Sequence, residues 1–149
     1  MKIEEAIKQK KFKDPYNKAL VNLLYTNSYI VAQQGKLFKP YGLSPEQYNV
    51  LRILRGKHPE PITVSSIQDR MLNKMSNASR LVEKLKQKDL VSRLECPSDR
   101  RQVDITITEM GLSTLEKLEE QVNKFNREIL HLDEPELDLL NELLDKLRS

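Results

Sequence analysis

Two short stretches carry the side chains best suited to chemistry with a polyanion. The first is Ser76-Asn77-Ala78-Ser79-Arg80, with Lys74 just before it and Lys84 just after. It combines short hydrogen-bonding side chains with an arginine and holds no acid before Glu83. Small donors and acceptors of this kind approach base edges closely, and cationic groups pair with phosphate. The second is Ser98-Asp99-Arg100-Arg101, which places two adjacent arginines in a segment rich in turn formers. Such a pair suits a narrow minor groove. Asp99 is better suited to orienting an arginine or the backbone than to touching DNA, because a carboxylate beside phosphate is repelled.

The other reactive residue types do not assemble into a catalytic or metal site. The chain has none of the GxSxG, P-loop, GxGxxG or HExxH patterns, which place a nucleophile, a phosphate cradle or a zinc ion. With only four glycines, a phosphate-cradling loop is hard to build. The two histidines, His58 and His131, belong to no Cys/His cluster at ligand spacing. Cys96 follows Glu95, a neighbour that raises rather than lowers a thiol pKa, so it lacks the setting of a redox sensor. The expectation is a protein that is not an enzyme and takes no metal and no cofactor.

Bulk properties agree with that expectation. A chain of 149 residues is long enough for one domain with a sizeable core. A single cysteine excludes an intramolecular disulfide framework, and a cytoplasmic location is the default. No apolar run approaches the ~20 residues of a membrane span. The opening MKIEEAIKQKKFK has two acids and no apolar block, unlike a secretory signal. The net charge of +3 is unevenly spread: residues 1–64 carry +6, residues 65–108 carry +3 and residues 109–149 carry −6. A basic body with an acidic end suits a protein that meets an anionic polymer with one end only.

Elements must hold the two polar stretches in place. Residues 1–14 read as a loose arm or a frayed first helix. Asp14-Pro15 starts a helix to about Phe38, with Leu20, Leu23, Leu24, Ile30 and Val31 at helical spacing. Ser44-Pro45-Glu46-Gln47 forms a capping box for the next helix, which Gly56 and His58-Pro59-Glu60-Pro61 end. Pro61-Ile62 suits a short strand edge. Thr63 then caps a short helix, and the turn Leu72-Asn73-Lys74 leads to the next, with Asn73 as the expected N-cap. On that helix Ala78, Leu81, Val82 and Leu85 share one face, while Ser76, Arg80, Glu83 and Gln87 lie opposite. Leu90 to Glu95 and Gln102 to Thr108 alternate at period two, which makes Cys96–Arg101 a hairpin loop with the arginines at its tip.

Thr108 and Glu109 open a long helix to about Leu132, whose Leu112, Leu115, Leu118, Val122, Phe125 and Ile129 form one stripe. Asp133-Glu134-Pro135-Glu136 starts the last helix. Six leucines between Leu137 and Leu147 exceed the needs of one buried face, so an intermolecular bundle is the economical explanation. Packing against the first helix of the same chain is the alternative. The fold class is therefore mainly α with a small antiparallel β-hairpin wing: a winged helix-turn-helix with flanking N- and C-terminal dimerisation helices. The expected divisions are 1–40 for the N-terminal helix, 41–111 for the DNA-binding domain and 112–149 for the C-terminal helices.

Three segments resemble the MarR family of bacterial transcription regulators. They are Ser79-Arg80-Leu81-Val82-Glu83-Lys84-Leu85, Asp89-Leu90-Val91, and Ser98-Asp99-Arg100-Arg101 followed by Ile107-Thr108-Glu109-Met110-Gly111. The last is similar to the family's DRR-strand-LTxxG wing signature, with Ile107 in place of the usual leucine. The resemblance implies a homodimer that binds double-stranded, pseudo-palindromic operator DNA as a repressor, in many members relieved by a small-molecule effector or by oxidation. It puts Ser76, Asn77, Ser79 and Arg80 at the major groove, Arg100 or Arg101 in the minor groove, and Lys74 and Lys84 on phosphates. Tyr25, Tyr29, Tyr48 and Arg52 are the candidate lining of an effector pocket. Leu20, Leu137, Leu140, Leu144 and Leu147 are the candidate dimer interface. The rival reading is a helical protein-interaction module, which leaves the hairpin and its arginines unexplained.

Overall fold

A capping side chain and an early proline start three of the long helices. The computed structural model describes the backbone of residues 1–149 and the side chains of all but Cys96, Arg100, Arg101 and Gln102. Backbone packing divides it into two units, Met1–Leu112 and Ser113–Ser149.

In the first unit α1 spans Ile3–Ala6 and α2 spans Pro15–Phe38. Of the two readings of the N-terminus, a loose arm or a frayed first helix, the structure has a short helix, and its Ile3 is buried. Lys18 pairs with Glu4 and holds its carboxyl below the ordinary carboxylate range. Asp14 caps α2 by accepting from the Asn17 N–H at 2.8 Å. A 3₁₀ turn at Lys39–Tyr41 closes on Gly42 at φ 67°, a left-handed conformation that favours glycine. Helix α3, Pro45–Lys57, begins with the expected reciprocal capping box of Ser44 and Gln47. Strand β1 is Ile62–Thr63, and Thr63 caps α4, Val64–Arg70, by accepting from the Ser66 N–H.

Helix α5 spans Ala78–Gln87, and its cap is Asn77, not Asn73. Asn77 Oδ1 accepts from the Arg80 N–H at 3.1 Å. Asn73 instead turns its Oδ1 onto the Met75 N–H at 3.0 Å, a side-chain turn that competes with helix initiation and delays the helix start. The far end closes as a Schellman motif, with Asp89 at φ 59° and the Leu90 N–H reaching the Leu85 carbonyl at 3.0 Å. Ala78, Val82 and Leu85 are buried, and the two larger side chains each stabilise the packing by roughly 1.5–3 kcal/mol.

Strands β2, Val91–Cys96, and β3, Asp99–Ile107, pair antiparallel, and β1 joins the other edge of β3. The hairpin is longer and its turn tighter than the alternation predicts. Pairing resumes at Cys96 with Asp99 after an irregularity next to Glu95, which leaves only Pro97 and Ser98 between the strands. Arg100 and Arg101 therefore belong to β3 and not to a loop tip, because the ladder runs through the bulge instead of ending at Glu95. The core gathers Phe38, Leu51, Leu54, Ile67, Met71, Leu85 and Ile105.

Helix α6 runs Glu109–Leu130, starting within the first unit. Thr108 is its cap, accepting from the Gly111 N–H at 3.0 Å. The second unit holds the rest of α6 and α7, Glu134–Arg148, which begins with a capping box of Asp133 and Glu136.

Candidate nucleic-acid interface

The outer face of α5 is an open groove of about 470 Å³ lined by Asn77, Ser79, Arg80, Glu83, Lys84, Gln87 and Arg93. It unites four of the residues singled out in the sequence: Asn77, Ser79, Arg80 and Lys84. Their placement follows from the wheel of α5, since the buried Ala78, Val82 and Leu85 turn the other face outward. The first turn of α5 holds no acid, so an anion approaching its N-terminus meets amide donors and the Arg80 guanidinium without repulsion.

Beside this groove lies a second cleft of about 460 Å³, lined by Thr63, Val64, Ser65, Ser79, Val82, Arg93, Asp99 and Val103. It separates α5 and the start of α4 from the wing. Arg93 belongs to both clefts, and the sequence reading did not single it out. The signal was period two: Val91 and Arg93 share a face of β2, and Val91 is buried. Arg93 leaves the core along that face and meets Glu83 of α5 at 3.7 Å. Both partners are about half exposed, so the pair contributes at most ~1 kcal/mol.

Lys74 and Ser76 lie in the turn before α5. Lys74 is exposed and donates to the Asp69 carbonyl. Ser76 is half-buried and its hydroxyl is enclosed, with no hydrogen-bond partner among the described residues. The side chains of Arg100 and Arg101, and that of Cys96, lie outside the described residues. Lys88 is engaged elsewhere: its ammonium donates to the Gly42 carbonyl and to Gln47 Oε1 and ties the end of α5 to the start of α3.

The four residues named for an effector pocket do not converge on either cleft. Tyr48 stacks on Phe38 with ring centroids 4.3 Å apart. Tyr25, Tyr29 and Arg52 are exposed on α2 and α3. Among the residues named for an interface, Leu20 is 57% and Leu147 65% exposed, whereas Leu137, Leu140 and Leu144 are half-buried. Leu139 and Leu143 are also exposed, and with Leu147 they form a stripe at four-residue spacing along α7.

The family model for MarR matches residues 43–103, from the end of the 3₁₀ turn to the middle of β3. The HTH-type transcriptional regulator MhqR of Bacillus subtilis is 31% identical over 114 residues, which cover 76% of this chain and 77% of that protein. This chain belongs to the MarR family. As a MarR-family protein it is a DNA-binding regulator of transcription and not an enzyme. A MarR transcription factor from Planctomyces limnophilus has a structure with a TM-score of 0.71 at 34% identity, covering 91% of this chain and 98% of that one. The structure of a mutant MarR from Escherichia coli complexed with operator DNA gives a TM-score of 0.76 at 23% identity, covering 92% of this chain and 100% of that one, and attests to the shared fold. No helix among the described residues is long and apolar enough to cross a membrane, and no group of metal-ligating side chains occurs among them.

Proposed function

We propose that this protein is a cytoplasmic repressor that binds a pseudo-palindromic operator as a homodimer. The observation that carries the reading is the groove along α5, where Asn77, Ser79, Arg80 and Lys84 face solvent together and no acid occupies the first turn. In this reading α5 enters the major groove with its N-terminal turn foremost, as recognition helices do. Arg80 and Ser79 address base edges, and Lys84 and Lys74 address phosphates. Arg100 and Arg101 supply the minor-groove contact from the wing. Ser76 is left out of the base-reading set because its hydroxyl is enclosed. Two copies held with their α5 helices about 34–36 Å apart would read half-sites one turn of DNA apart and occlude the duplex between them. The exposed leucines of α2 and α7 are the apolar surface for joining the copies.

The test is retention of random duplex DNA at two salt concentrations, followed by sequencing of the retained fraction. The expected result is an enriched inverted repeat whose binding falls steeply with salt, by about −0.9 in log–log slope per neutralised phosphate. Salt-sensitive retention without enrichment would remove the sequence-reading role of α5. No retention at either salt would favour the helical protein-interaction module.

A further inference from the structure

The turn between α4 and α5 exposes two apolar side chains, Leu72 at 87% and Met75 at 92%. Isolated exposed apolar residues are ordinary, but the backbone under Met75 is held from several sides. Its own N–H donates to Asn73 Oδ1 at 3.0 Å, and the Ser76 N–H donates to the Asn73 carbonyl at 3.0 Å. Gln68 spans the turn, accepting from the Ala78 N–H at 3.0 Å and donating to the Lys74 carbonyl at 3.5 Å. Met75 is thus presented by a fixed frame.

Its position matters as much as its exposure. Met75 stands two residues before the Asn77 cap, so chain reach alone keeps it within about 7 Å of that cap. In the major groove thymine is the base that offers a methyl group, and apolar side chains are its partners. The side chains that begin the α5 groove, Asn77, Ser79 and Arg80, are polar, so a methyl finds no match among them. We infer that Met75 is a specificity-determining residue that packs against a thymine methyl in each half-site, an assignment that rests on the DNA-binding reading above.

The test uses the operator selected by the intact protein, resynthesised with uracil for thymine at one symmetric pair at a time. Uracil keeps the pairing edge and lacks only the methyl. One pair is expected to weaken the parent about fourfold per half-site, or about fifteenfold for both, the worth of one apolar carbon removed from water. Met75→Ala is expected to bind thymine and uracil versions of that pair alike, with an unchanged salt slope, and Met75→Leu to restore the difference. Because the side chain is exposed, neither change disturbs the core. A scan silent at every pair on an operator that is otherwise bound would overturn this inference alone, as would a Met75→Ala variant with the parent's discrimination. Failure to bind any duplex would overturn the DNA-binding reading along with it.

Discussion

Arg80 is the only cation in the first turn of α5, and it lies in the solvent-facing groove. Replacing it with alanine is expected to weaken operator binding by about 10- to 100-fold and to relax preference at one position per half-site, as removal of a base-reading side chain does. Lys84→Ala should behave differently: weaker binding to all sequences alike, with the salt slope reduced by about 0.9 for each phosphate left without its cation. Competition titrations across a salt series separate the two. These residues were legible in the sequence because one helical wheel and the absence of nearby acid define their face. Arg93 was not, since its role depends on which side of β2 meets α5. Nor was the enclosure of Ser76, which depends on how the turn before α5 folds.

Among the elements, α5 depends on both of its ends. Asn77→Ala removes the hydrogen bond to the Arg80 N–H and is expected to cost about 1 kcal/mol in urea unfolding. At the wing base, a Cβ on Gly111 would lie 2.4 Å from the Leu90 carbonyl oxygen and 2.6 Å from Ile107 Cγ1. Gly111→Ala is therefore expected to destabilise the fold by about 1–3 kcal/mol through overpacking, with the same readout. Helix starts were the most legible features, because Asp14-Pro15, Ser44-Pro45 and Asp133-Glu134-Pro135 each state a cap and a first turn. The N-cap of α5 and the hairpin turn were less so. Asn73 and Asn77 are equally good caps by type, and the contacts that favour Asn77 are the turn Asn73 makes onto Met75 and the tertiary hold of Gln68 on Ala78. The reach of β3 past Val103 depends on a bulge, for which the alternation gives no sign.

For the whole molecule, the dimer proposal rests on leucines that the chain leaves in solvent. Substituting Leu139, Leu143 and Leu147 with glutamate is expected to yield a folded monomer in sedimentation at micromolar concentration, with operator affinity falling sharply. Truncation after Leu132 should have the same effect on assembly, and a variant that stayed dimeric would exclude α7 from the interface. Any signal exchanged between copies must reach α5, and the junction at Thr108 bears on how. Its N–H donates to the Leu90 carbonyl at 3.1 Å, its hydroxyl donates to the Asp89 carbonyl at 2.7 Å, and the same hydroxyl caps α6. Mechanically, the first turn of α6 and the end of α5 meet at this one residue. A displacement of that first turn would be passed to the end of α5 through the hydrogen bonds of a single threonine.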